Sequence, residues 1–438
     1  MTIRTAATLR MAAAVSAEED TVHATERAAA QLNDKLAPGL VDLAIAFVNP
    51  PHARRLATVG DVLKRELEAT HILAVTAGGV VAGAREIEEG PAISVLAARM
   101  PGVTIHPFTH EDLPHDPHDP SRADELARAV GVADDLRCTF LFADPFSVPL
   151  LRFLPALSAV VNRGQTDTYG GETRRPALLG GMLSAAPRPG SNALVVSGRE
   201  VETAVRNEGL VGVSLRGELL VDTIVSQGCR PFGEPMVVTA AKQNVILKIA
   251  GKPAAQAIRE ACLTLSEEDR RLLVQGQNLF IGKVVNEYKH RFGRGDFLIR
   301  NIVGADENSG AVAVGDLIRP GQTIQMHLRD ARTAAEDMAL LMDGQAVHET
   351  PAGALLITCN GRGQRFFGRP DHDARALQRP FLPTPGGETA AKAGWELSAA
   401  EAPVPTAGFF AAGEIGPVGD QSYLHGFTAC AALFRPRA

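Results

Sequence analysis

The sequence predicts an α+β fold: two domains with mostly antiparallel sheets covered by helices, facing a shared cleft. Three observations predict it. Short apolar runs bounded by glycine and proline recur along the chain, with 42 Gly and 28 Pro, the punctuation of strands joined by turns. Between the runs stand a few amphipathic segments opened by capping residues. At 438 residues the chain also exceeds one ordinary core, so two or three domains are expected.

Composition narrows the function. Hydrophobic residues make up 45% and charged residues 21%, the balance of a globular protein. A net charge of −6 without a basic block argues against nucleic acid as a partner. No run approaches the ~18 apolar residues of a membrane span, and the N-terminus meets Glu18, Glu19 and Asp20 where a secretory signal needs an apolar core. Five widely spaced cysteines argue for a reducing compartment, cytoplasmic by default, and against a disulfide framework.

Ser16 to Glu19 reads as a capping box opening a helix to about Leu36, so residues 1–37 form an N-terminal helical segment. Residues 40–48 (LVDLAIAFV), a helical run over 54–68 and residues 71–75 read as a strand–helix–strand unit. The turn that follows, with Thr76, Gly78 and Gly79, offers backbone N–H groups to a polar ligand, though a glycine-rich hairpin or crossover alone is the simpler account. Strands are expected over 92–100, 103–108 and 138–143, and helices over 121–130 and 148–161. Short strands follow at 178–183, 193–197, 210–215 and 219–226. Asn162 and Arg163 open a polar, glycine-rich stretch.

The stretch 219–233 (LLVDTIVSQGCRPFG) looks like the joint between the halves. An alternating strand runs into Gln227, Cys229 and Arg230 before Pro231 and Gly233 break it. Domains are therefore expected at 38–233 and 234–438. In the second, a hairpin spans 237–249, helices begin at Ala254 and after Ser266, and Asp330 caps another. The strand ending at Cys359, Asn360 and Arg362 repeats the central pattern, and 378–406 reads as a flexible insertion. His106, His110, His115 and His118 lie among acidic residues in a proline-containing loop. They are competent metal ligands, although a solvated loop is the simpler account.

Nine short motifs in order then point to a family: FVNPPH (47–52), TAGG (76–79), EGPAISV (89–95), NRGQT (162–166) and VSQGCRPFG (225–233), followed by GDFLIRNIVG (295–304), CNGRG (359–363), GFFAAGEIGP (408–417) and LHGFT (424–428). The chain resembles the FIST family, a bacterial sensory module with an N-terminal and a C-terminal FIST domain. The resemblance implies a small ligand, amino acids among them, and a separate signalling protein as partner. Some members resemble haem-binding nitric-oxide sensors and others carry an F-box. No kinase, cyclase, methyl-accepting or F-box segment is recognisable here.

Three functions stay open on the residues. In a ligand-binding module, Arg230, Arg300 and Arg362 would fork onto a carboxylate, Asn162, Asn301, Asn360 and Gln227 would orient amides or hydroxyls, and Glu414 would take an amino group. Both halves would then be needed for binding. In a hydrolase or transferase, Cys229 or Cys359 would be the nucleophile and His425 the base, with glycine-flanked N–H groups as oxyanion hole. In a haem or metal sensor a histidine would ligate, non-covalently for haem, since the sequence has no CxxCH.

Overall fold

The structure, a computed structural model, describes residues 8–36, 39–274, 276, 278–382 and 401–437. Helices accompany mostly antiparallel sheets. The chain forms two compact units, one of 1–225, 338–424 and 429–438, the other of 226–337 with 425–428. The 233/234 boundary expected from sequence falls inside the strand Cys229–Lys242.

The larger unit holds three six-stranded sheets, each built around one parallel pair. The pairs are Leu43–Val48 with His71–Thr76, Leu136–Ala143 with Ala177–Met182, and Gly353–Cys359 with Thr406–Ala411. Antiparallel neighbours flank every pair on both sides. A parallel pair needs a crossover, and the helices Leu56–Leu67, Leu150–Val161 and His372–Gln378 lie in the three crossovers. Sequences such as LAIAFV and GALLITC are apolar almost throughout because these strands are buried on both faces.

The sheets meet through aromatic rings near the carboxyl ends of these strands. Phe47 stacks on Phe409 with centroids 5.1 Å apart, and Phe142 meets both edge-on at 5.7 and 5.9 Å. Each ring belongs to a different sheet, so their contact fixes the three sheets together. Gly180 and Gly408 permit close strand approach: a Cβ on either would overlap the carbonyl of Leu141 or Leu356 across the parallel pair.

The N-terminal segment is not wholly helical. Arg10–Ser16 is a strand antiparallel to Ile93–Arg99, and Ser16 is its last residue. The helix starts later, at Thr21–Leu36, where Asp20 accepts the His23 amide at 3.0 Å. The alanine-rich run RMAAAVS hides its strand because alanine carries little strand preference. Asn49, in the FVNPPH motif, is a tie: its Oδ1 accepts the Ala92 amide at 2.7 Å and its Nδ2 donates to the Gly90 carbonyl. His52, fully buried beside it, hydrogen-bonds Thr21 Oγ1 through Nδ1 at 3.0 Å. Asn49→Ala is expected to cost about 1–3 kcal/mol in a urea unfolding curve, because the buried Ala92 amide loses its partner.

The expected insertion at 378–406 is tied at its margins. Gln378, fully buried, donates to the carbonyls of Gly83 and Val404 and accepts the Val404 amide. Residues 383–400 lie outside the described residues.

In the smaller unit a seven-stranded row runs from Cys229–Lys242 to Lys252–Pro253, and the pairing of Cys229–Lys242 with Val245–Ile249 closes it on itself. The strand does not break at Pro231 and Gly233. A register shift between Phe232 and Met236, with Gly233 at φ +62°, absorbs the irregularity. The helices expected from Ala254 and Ser266 are Ala254–Leu263 and Glu267–Val274, with Ser266 Oγ accepting the Asp269 amide at 3.1 Å. No helix among the described residues is long and apolar enough to cross a membrane.

Candidate functional site

The strand ends of the larger unit gather several of the residues singled out in the sequence. Gly78 donates its N–H to Ser184 Oγ at 2.8 Å, and that hydroxyl donates to the Phe410 carbonyl. A Cβ on Gly78 would stand 3.3 Å from Asn360 Oδ1, and one on Gly79 would stand 3.0 Å from the Phe410 ring. The ends of all three parallel pairs therefore converge, as expected for polar residues at the carboxyl ends of such strands. Several of its polar atoms are held by the chain itself. Thr76 Oγ1 accepts the Ala193 amide at 2.9 Å, Cys359 Sγ accepts the Gly361 amide at 3.4 Å, and Glu414 is fully buried. Ser184 joins it without any sequence signal, since an isolated serine after a strand is common.

The three arginines expected to fork onto a ligand are held by the chain's own carboxylates. Arg362, fully buried, grips Asp373 through Nε and Nη2 at 2.7 and 2.9 Å. Burial alone would raise the Asp373 carboxyl, yet the guanidinium holds it well below the usual carboxylate range. In the smaller unit Arg230 pairs with Asp269 and with Asp330 at 3.3 Å, and Arg300 pairs with Asp316 at 2.7 Å. Lys283 shares that aspartate at 2.6 Å. Gln227 donates to the Phe297 carbonyl at 2.9 Å, while Asn301 is exposed. These partners lie 11 to 100 positions away in sequence, so the arginines looked free.

A concave site lies elsewhere in the larger unit. A cavity of about 660 Å³ is walled by residues 172–177, by 221–223, by Asn162 and Gln345, and by the turn at 417–422. Stretches before and after the 233/234 point both contribute. In the wall, Arg174 donates to Asp222 Oδ1 at 2.6 Å and to Glu172, and Arg435 donates to Asp222 Oδ2. At the rim the ion pair is of another kind. Arg175 and Asp420 stand 2.9 Å apart with side chains 57% and 68% exposed. Asn162 Nδ2 donates to the Asp420 carbonyl, fixing the turn that carries this acid. Of the residues singled out in sequence, Asn162 alone lines this cavity; Arg163 pairs with Asp124 on an exposed surface.

The remaining candidates disperse. Cys229 sits in an apolar cluster with Phe280, Val284, Phe297 and Ile299, and His425 belongs to the same smaller unit, whereas Cys359 belongs to the larger. His106 Nε2 hydrogen-bonds the Ala129 carbonyl at 3.0 Å, His110 packs on Gly209, His118 meets the Phe153 ring edge, and His115 is exposed. Among the described residues no group of three or more His, Cys, Asp or Glu is placed to hold a metal ion. His327, unremarked in the sequence, is pulled down to about 4 by burial and fits only because residue 282 is glycine.

The larger unit thus combines three mixed sheets with a polar cavity. The family models for the FIST N domain and the FIST C domain match residues 42–252 and 254–417, so the chain belongs to the FIST family. It is 36% identical over 434 residues to the uncharacterized protein Rv0628c of Mycobacterium tuberculosis, covering 97% of this chain and 100% of the relative. It is 34% identical over 433 residues to the uncharacterized protein Mb0898c of Mycobacterium bovis, covering 97% and 99%. Among solved structures, cyanuric acid hydrolase from A. caulinodans aligns over 98% of this chain and 99% of its own, with 9% identity and a TM-score of 0.35. A likeness that distant supports no inference about chemistry.

Proposed function

We infer that the protein is the ligand-binding part of a sensory system and that its ligand is a small zwitterion of the amino-acid class, held in the 660 Å³ cavity of the larger unit. FIST membership is consistent with a sensory module that binds small ligands. One observation carries the choice of ligand: the rim pair of Arg175 and Asp420, 2.9 Å apart and more than half exposed on both sides. Such a pair contributes only about 0–1 kcal/mol. A ligand bearing both a carboxylate and an ammonium group replaces this weak pair with two, each partly shielded by the cavity wall. Arg362, Arg230 and Arg300 are less suited, because freeing any of them would strand a carboxylate that is largely or wholly buried.

Calorimetric titration of the whole chain with a panel of amino acids tests the reading. At least one is expected to bind, and Arg175→Ala and Asp420→Ala are each expected to weaken it about tenfold or more, or about 1.4 kcal/mol. Unchanged affinity in both variants would remove the cavity from consideration.

A further inference from the structure

A second feature lies away from the cavity, where the hairpin of Val80–Ala82 and Arg85–Ile87 meets the helix His372–Gln378. Glu86 is 7% exposed, and its Oε1 accepts the Ala374 amide at 2.9 Å. Its own N–H donates to Asp371 Oδ1 at 2.8 Å. Its Oε2 is buried and has no hydrogen-bond partner among the described residues. The charged groups around it are mostly acidic and mostly committed. Asp373 is taken by Arg362 and His372 Nδ1, Asp371 by Arg85 at 3.1 Å and Arg375 at 2.9 Å, and Glu88 by the Gln364 amide at 2.7 Å. No described arginine or histidine is shown pairing with Glu86 itself.

We propose that Glu86 is a proton-operated latch: neutral, it clasps the N-terminal hairpin to the C-terminal helix, and ionised, it drives them apart. A carboxylate whose second oxygen receives no donor, set beside Asp371 and Asp373, carries an uncompensated buried charge. A proton removes that charge and leaves Oε1 accepting from Ala374. Burial first, and then Asp373, push the group well above the usual carboxylate range. The sign follows by linkage. In the unfolded chain Glu86 ionises near the ordinary value of about 4.3, while in the folded protein it keeps its proton to higher pH. Its stabilising contribution is thus whole below that ordinary value and is lost as pH rises through the folded one. The hairpin also carries Glu88, which caps the turn at Gln364–Phe367, so release of the latch loosens two contacts between distant parts of the chain.

The test is the melting temperature of the whole protein and of Glu86→Gln from pH 5 to pH 8. Glutamine keeps an oxygen for the Ala374 amide and cannot ionise. The wild type is expected to lose stability relative to the variant as pH rises, the gap widening by about 2 °C or more. Curves that stay parallel would overturn the proposal. As a measurement on the wild type alone, hydrogen-exchange protection of the Glu86 and Ala374 amides is expected to fall at least tenfold over the same range after correction for intrinsic exchange. Constant protection would equally overturn it.

Discussion

Asp373→Ala is expected to destabilise the larger unit by about 3–5 kcal/mol, because it leaves the fully buried Arg362 guanidinium without its carboxylate. The loss reaches further than one pair. Asp373 also accepts from Thr358 Oγ1 at 2.7 Å and lies 2.9 Å from His372 Nδ1, the ring that stacks on Phe367 at 3.5 Å. One deletion therefore strands groups from the strand Gly353–Cys359, the turn after it and the helix His372–Gln378. Urea unfolding followed by circular dichroism checks the size. Replacing both partners together, Arg362→Met with Asp373→Leu, is expected to recover part of the loss, since the two opposed charges leave together while Thr358 Oγ1 and His372 Nδ1 stay without the carboxylate. A cost for Asp373→Ala no larger than that of an exposed substitution, under about 0.5 kcal/mol, would contradict the buried-pair account.

Gly180→Ala comes next. Gly180 adopts φ +142°, and its missing side chain leaves room for the Leu141 carbonyl of the neighbouring parallel strand. A methyl group there meets backbone rather than a movable side chain, so the strands Ala177–Met182 and Leu136–Ala143 must part. The expected cost is about 3 kcal/mol or more. Gly190→Ala is the control. It also has positive φ, +70°, but nothing lies within 4 Å of a Cβ there, so only the backbone term of about 1–2 kcal/mol applies. Calorimetric melting of the two variants side by side checks the difference; equal shifts would mean that the close approach costs nothing.

Much of the fold was legible because its signals are local. The apolar strand at Leu43–Val48, the helix at Leu56–Leu67 and the strand at His71–Thr76 announce themselves by period and by the turns between them. So do the caps at Ser266 and Asp330, the latter accepting the Arg332 amide at 3.1 Å. What stayed hidden depends on distant partners. The strand Val201–Arg206 is mostly exposed at a sheet edge, and its short alternation of Val201, Thr203 and Val205 with Glu202, Ala204 and Arg206 carries no buried apolar side chain. Pro231 reads as a terminator until its strand is seen to pair on one side only at that point, with Thr323–Arg329. The site divides in the same way. Asn162 stood out in a polar, glycine-rich segment, whereas Arg175 and Asp420 are ordinary surface residues until pairing across 245 positions brings them together. For Arg230, Arg300 and Arg362 the converse holds, since their carboxylates were invisible and they looked available to a ligand.

The sheet built on Gly353–Cys359 also has a bearing on synthesis. Val80–Ala82, near the start of the chain, completes its pairing only with Thr406–Ala411, near the end. At roughly 5–20 residues per second the partner strand leaves the ribosome tens of seconds after the first. Throughout that interval the early hairpin presents an unpaired apolar edge, VVA, to whatever surrounds the nascent chain. Completion of this sheet therefore waits on a strand made long after the hairpin, and a shortage of chaperones should lower the yield of this protein before it lowers that of proteins whose strands pair with near neighbours.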